Sequence, residues 1–226
     1  MEQESNLESV IENFEQQENL SDKEVFTKIW TSPRKVFKYI VDKKYERYFA
    51  TLLVLAGISN AFSQASSKKM GDDLSILGII LVCTIGGGLL GWFSLYIYAA
   101  LLSWTGKWFK EKGKGNTNSI LTVLSYAMIP SIVAMVLLIP QIGMVGAELF
   151  KSNSNIEGAG LGTALMLVIT GLLQVILGVW TIVLVVFGIS AIQNFSIGKS
   201  ILNMLMPGLL LLAILLPIVL LITILQ

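Results

Sequence analysis

The chain has 226 residues, of which 54% are apolar and 14% charged, and its mean hydropathy is +0.73. Soluble domains carry about 25% charged residues, so the composition excludes a soluble enzyme and indicates an all-α, polytopic membrane protein. With no histidine and a single cysteine, the chain lacks the residues for a His-ligated zinc, a Ser-His-Asp triad or an internal disulfide; a net charge of +1 gives no basis for a nucleic-acid partner, and no cofactor motif is present.

Charge divides the chain in two. Residues 1–47 hold 8 of the 16 Lys and Arg and 10 of the 15 Asp and Glu, and they read as an N-terminal cytoplasmic amphipathic helical arm ahead of a five-helix membrane domain over 48–226. The first twenty residues are acidic and carry no cation, the reverse of a secretory leader. Within them Leu7, Val10, Ile11 and Phe14 recur at helical spacing, and Ser21 to Glu24 has the spacing of a capping box before Val25, Phe26, Ile29 and Trp30. Two short amphipathic helices are expected here, as a solvated tail with helical propensity or as a helix that binds a partner or the membrane edge.

Thr31-Ser32-Pro33 predicts the next helix start, with Ser32 accepting from an early amide and Pro33 at the first helical position. Val36, Phe37 and Ile40 then share one face, and six cations, Arg34, Lys35, Lys38, Lys43, Lys44 and Arg47, oppose only Asp42 and Glu46. This pattern suits an interfacial anchor, in which each cation near anionic lipid contributes about 1 kcal/mol; the same charges also suit a purely topological role. Those six and Phe37 are the candidate lipid or partner contacts.

Five charge-free apolar stretches follow, at Tyr48 to Gln64, Leu74 to Ser103, Ile120 to Ala147, Leu161 to Ile189 and Ile201 to Leu225, each able to span a bilayer. A less apolar edge segment, Ser190 to Lys199, separates the last two. Counted near the span ends, eleven cations lie between Arg34 and Arg47 or in the loops after spans two and four, and three lie in the other two loops. That excess places the N-terminus in the cytoplasm and the C-terminus outside. Pro207 and Pro217 in span five are expected to kink it.

No span holds an ionisable Asp, Glu, Lys or Arg, which disfavours proton-coupled transport. Polar groups such as Asn60, Ser125, Tyr126, Thr170, Gln174 and Thr181 are expected to bond neighbouring helices. Gly57-x-x-x-Ala61 and Gly87-x-x-x-Gly91 offer small faces for close helix packing, within one chain or in a homo-oligomer or with other membrane proteins. Cys83 reads as a small apolar filler. Tyr45, Tyr48, Phe49, Trp104, Trp108 and Phe109 form part of an aromatic belt, and Gly113-Lys114-Gly115 reads as a turn between spans with basic anchors.

In order and spacing these features resemble the Yip (Ypt-interacting protein) domain family, in particular its bacterial branch. The resemblance runs from about Val25 to Leu220 and rests on three segments: Ile29 to Phe37, with Pro33; Leu121 to Pro130, with Tyr126 and Pro130; and Trp180 to Lys199, with Gln193 and Phe195. It implies a helical membrane protein without enzymatic chemistry, whose eukaryotic relatives act in vesicle trafficking and bind Rab-type GTPases through the cytosolic side. Their Asp-Leu-Tyr-Gly-Pro signature is missing before the first span, where only Pro33 stands in a comparable place, so Rab binding is not carried over. The expectation is a scaffold or adaptor in a bacterial inner membrane; the alternative is a small-solute or lipid transporter, or an accessory subunit of one.

Overall fold

The structure is a computed structural model that describes residues 19–109, 113–153 and 160–224, all of whose regular elements are helical. The predicted helix around Leu7 to Phe14 lies outside the described residues. Helix α1 (Asp22–Lys28) begins with the expected capping box: Ser21 Oγ accepts from the Glu24 amide at 3.3 Å, and the Glu24 carboxylate accepts from the Ser21 amide at 2.9 Å. Helix α2 (Pro33–Asp42) starts on Pro33 as predicted, but the Ser32 side chain makes no capping bond. The Lys35 and Val36 amides bond instead to the Ser32 carbonyl, so the fixed φ of Pro33 and a backbone acceptor suffice to start the turn.

Among the described residues, five helical segments are long and apolar enough to cross a membrane. Span one is α3 (Phe49–Ser67). Span two joins α4 (Ile76–Leu81), a π-turn (Val82–Gly86) and α5 (Gly87–Gly106). Span three is built in pieces: α6 (Thr117–Ala127), α7 (Ile129–Val136), α8 (Leu138–Val145) and a 3-10 turn (Gly146–Phe150). Span four is α9 (Leu161–Gln193) and span five α10 (Ile197–Ile224). The predicted edge segment is shorter than expected, because α9 runs on through Gln193 and only Asn194 to Ser196 separate it from α10.

Proline acts where the sequence reading did not place it. Pro130 and Pro140 have no N–H for the carbonyls of Tyr126 and Val136, and the helix breaks at Met128 and Leu137, just ahead of each. By contrast, α10 continues through both Pro207 and Pro217.

Span three is the central helix: 56% of its apolar window is buried, against 17% for span two and 33% for span four. Spans one, two and four pack around it. Outward faces of spans two, four and five carry large apolar side chains such as Leu90, Leu161, Val175 and Leu212 in the open. A soluble protein does not expose so continuous an apolar surface, and a bilayer covers it.

The core has two parts. The larger lies toward the N-terminal face and includes Leu20, Val25, Ile29, Val36, Phe37 and Ile40 together with Leu102, Leu124, Tyr126, Leu184 and Ile189. The described part of the arm is therefore built into the bundle. At the opposite face Phe62, Ala65, Ile79, Cys83 and Phe150 form a smaller cluster, where Cys83 is the buried filler expected.

Candidate functional site

On the N-terminal face the first helix is held by one carboxylate. Asp22 accepts from the Tyr45 hydroxyl at 2.6 Å and the Tyr48 hydroxyl at 2.9 Å, and pairs with the Arg47 guanidinium at 2.6 Å. The Tyr45 bond foremost, then Tyr48 and Arg47, hold Asp22 below the ordinary carboxylate range. Burial and the same bond push the Tyr45 phenol above its ordinary value. Beneath them Tyr126, fully buried, accepts from the Tyr48 amide at 3.3 Å, and its ring lies 5.9 Å from that of Tyr45. Tyr45 and Tyr48, expected in an aromatic belt, thus join α1 to span one. Trp104 and Trp108, edge to face with ring centres 4.8 Å apart, are half exposed.

The apolar face of α2 turns inward. Pro33, Val36, Phe37 and Ile40 are all buried, and the Phe37 ring lies against Gly188 of span four. Phe37 is therefore corrected from a candidate lipid or partner contact to a core residue: a fully buried phenyl gains more from protein packing than from the headgroup boundary. Arg34, Lys35, Lys38, Lys43, Lys44 and Arg47 remain exposed. Two of them line a cavity of about 510 Å³ between α2, the end of α9 and the start of α10, whose walls include Arg34, Lys38, Asp42, Phe187, Asn194 and Ser196. The Arg34 guanidinium sits 5.3 Å from the centre of the Phe187 ring, a cation–π contact that fixes one side of the cavity.

Behind this cavity the ends of spans two, four and five meet on Gln193, which is 1% exposed. Its Oε1 accepts from the Gly115 amide at 3.1 Å and its Nε2 donates to the Leu102 carbonyl at 3.1 Å. Asn203 donates to the same carbonyl at 3.3 Å and to Thr105 Oγ1 at 2.8 Å, while Ser103 Oγ donates to the Gly115 carbonyl at 3.0 Å. A Cβ on Gly113 would stand 2.1 Å from Gln193 Oε1, and one on Gly106 2.5 Å from Nε2. Gly113, expected only to make a turn, and Gly106, the last residue of α5, are what let the loop close on the amide. Phe195 lies buried beside this knot with its ring 5.0 Å from that of Phe109, and Pro130 is buried in the first turn of α7.

The two small-residue faces meet each other. A Cβ on Gly91 would lie 2.4 Å from Gly57 Cα, and one on Gly87 2.7 Å from the Ala61 Cβ. Gly57, Ala61, Gly87 and Gly91 therefore serve packing of span one on span two within the chain, and are occupied there. Ser125 and Tyr126 are both fully buried: Ser125 Oγ donates to the Thr122 carbonyl at 2.7 Å and Tyr126 Oη accepts from Tyr48. The arrangement offers binding surfaces and rigid joints.

The family model for the Yip1 domain matches residues 27–219. No curated protein and no solved structure matches the chain. The match runs from the end of α1 through the first four spans and most of the fifth, and the chain belongs to the Yip1 domain family.

Proposed function

We propose that this Yip1-domain membrane protein is a non-enzymatic scaffold or adaptor in membrane organisation or trafficking, which presents its N-terminal face to cytoplasmic partners and anionic lipid. One observation carries the reading. Val25, Ile29, Val36, Phe37 and Ile40 anchor α1 and α2 in the core, so Arg34, Lys35 and Lys38 stand outward on a helix fixed to the bundle. A cationic ridge on an already ordered helix beside a cavity can recognise phosphate or carboxylate groups without the cost of ordering the backbone. The cation excess on this face supports a cytoplasmic N-terminus, and the bacterial inner membrane is the location that reading favours. A homo-oligomer or other membrane partner would have to use faces other than the glycine stripes, which are filled internally.

Truncating the arm is a poor test, because Val25 and Ile29 belong to the core. The full chain is better compared with Arg34→Glu/Lys35→Glu/Lys38→Glu after crosslinking in its native membrane, with partners and retained lipids identified by mass spectrometry. Partners or anionic lipids lost on charge reversal support the adaptor; an unchanged set removes its basis. A second reading, solute or lipid transport, is favoured by the amide pair between spans three and four, where Gln141 and Gln174 exchange bonds at 3.4 Å inside the membrane domain. Reconstituted vesicles without flux or lipid movement would eliminate it.

A further inference from the structure

Away from the basic ridge, a second cavity of about 370 Å³ opens between spans one, three and four. That volume falls within the range of about 300–1,000 Å³ typical of small-molecule sites. Its lining is unusual for a membrane interior: Ser59, Ser63, Ser66 and Ser67 from α3, Ser131 from α7, Gln141 from α8 and Gln174 from α9, backed by apolar side chains including Phe62 and Leu149. From Ser59 to Ser67 the hydroxyl-bearing wall extends about 12 Å at 1.5 Å per residue. It ends at the last residue of α3, on the face opposite the N-terminus.

The inner end is rigid. Gln141, 4% exposed, donates to Thr170 Oγ1 at 2.6 Å, and Gln174 donates to the Ala134 carbonyl at 3.4 Å. Ser59 Oγ donates to the Ser131 carbonyl at 3.0 Å, so these groups brace one another across three spans. Toward the mouth, the Ser63 and Ser66 hydroxyls make no hydrogen bond among the described residues. Packing between these helices does not use them. A hydroxyl both donates and accepts, and no lining residue carries a charge. An ion entering here would give up its hydration without a counter-charge.

We propose that this cavity binds an uncharged, hydroxyl-bearing sugar, free or as the head group of a glycosyl lipid, entering from the face opposite the N-terminus. The site is independent of the adaptor reading and involves none of its cations. The test uses the full chain in phosphatidylcholine nanodiscs, with native mass spectrometry to score three probes: a monoglucosyl diacylglycerol, phosphatidylglycerol and free glucose. Retention of the glucosyl lipid over phosphatidylglycerol is expected for a lipid source, and saturable glucose binding alone for a free-polyol source. Ser63→Leu/Ser66→Leu fills the mouth and is expected to lower binding by more than about tenfold, one decade for each 1.4 kcal/mol lost. Leu90→Ile on the exposed face of span two serves as the control that leaves binding unchanged. Equal retention of the glucosyl lipid and phosphatidylglycerol without glucose binding, or binding that survives the double leucine variant, overturns the proposal.

Discussion

Replacing Gln193 by Leu tests whether the polar knot holds the N-terminal face together. The two side chains are close in size, so the change leaves little void and acts mainly through hydrogen bonds. The Gly115 amide loses its acceptor at 3.1 Å, while the Leu102 carbonyl loses one donor and keeps Asn203 at 3.3 Å. A buried N–H left unpaired costs about 1–3 kcal/mol, and a lost bond whose acceptor stays partnered about 0.5–1.5 kcal/mol. The expected destabilisation is therefore about 1.5–4.5 kcal/mol, roughly 12- to 1,600-fold in the folded-to-unfolded ratio at 1.4 kcal/mol per decade. Denaturant unfolding of the detergent-solubilised chain, followed by tryptophan fluorescence, reads the energy, and amide exchange at Gly115 reads the site. Asn203→Leu, alone and combined with Gln193→Leu, should give a non-additive cycle, because both residues donate to Leu102. A loss below about 0.5 kcal/mol with Gly115 still protected would refute the reasoning.

Gly91→Ala should destabilise by at least about 1–3 kcal/mol, since its Cβ would meet Gly57 backbone at 2.4 Å; Gly88→Ala, whose Cβ would sit 3.7 Å from Val54, should be nearly neutral in the same unfolding assay. Asp22 and Glu24 both titrate below their ordinary values, Glu24 at about 2 through its bonds to Lys28 and Ser21. Each contribution is complete above the group's unfolded-state value, near pH 4 to 4.5, and is lost as pH falls through its lowered folded value, about 2 for Glu24. The protection of the α1 amides, corrected for the intrinsic pH dependence of exchange, should fall over that interval, and Asp22→Asn should lower it already at neutral pH; pH-independent protection in the wild type would contradict the clasp. In a Cys83→Ala background, Lys114→Cys and Ser152→Cys should label from opposite sides of the membrane with an impermeant maleimide, Lys114→Cys from the cytoplasm. Labelling of both from one side would reject the five-span topology.

Much of the fold is legible in the sequence because its signals are local or additive. Twenty apolar residues without a charge announce a span wherever they occur, and Ser21 with Glu24 closes its capping box through residues three apart. The small faces at Gly57 and Gly91 were visible as spacing, although spacing alone left their partner open. Pro130 and Pro140 could have been read as breaks in span three, yet identical chemistry at Pro207 and Pro217 leaves α10 continuous, so proline position alone does not decide the outcome.

The candidate site was legible in its charges and obscured in its contacts. Arg34, Lys35 and Lys38 stand exposed where an amphipathic pattern puts them. That pattern states only that Phe37 belongs to an apolar face, and bilayer and protein core are equally apolar destinations; Gly188, more than 150 residues away, is what makes room for the ring. The sequence by itself determined the all-helical membrane class, five spans and a cationic approach to the first, because each follows from hydrophobic burial and charge within one segment. Only the tertiary structure decided that Asp22 meets Tyr45 and Tyr48, that Gln193 closes on Gly115, and that serines from two spans share one cavity. Those contacts join residues far apart in the chain, and a short polar side chain signals that it needs a partner without saying which one packing will supply.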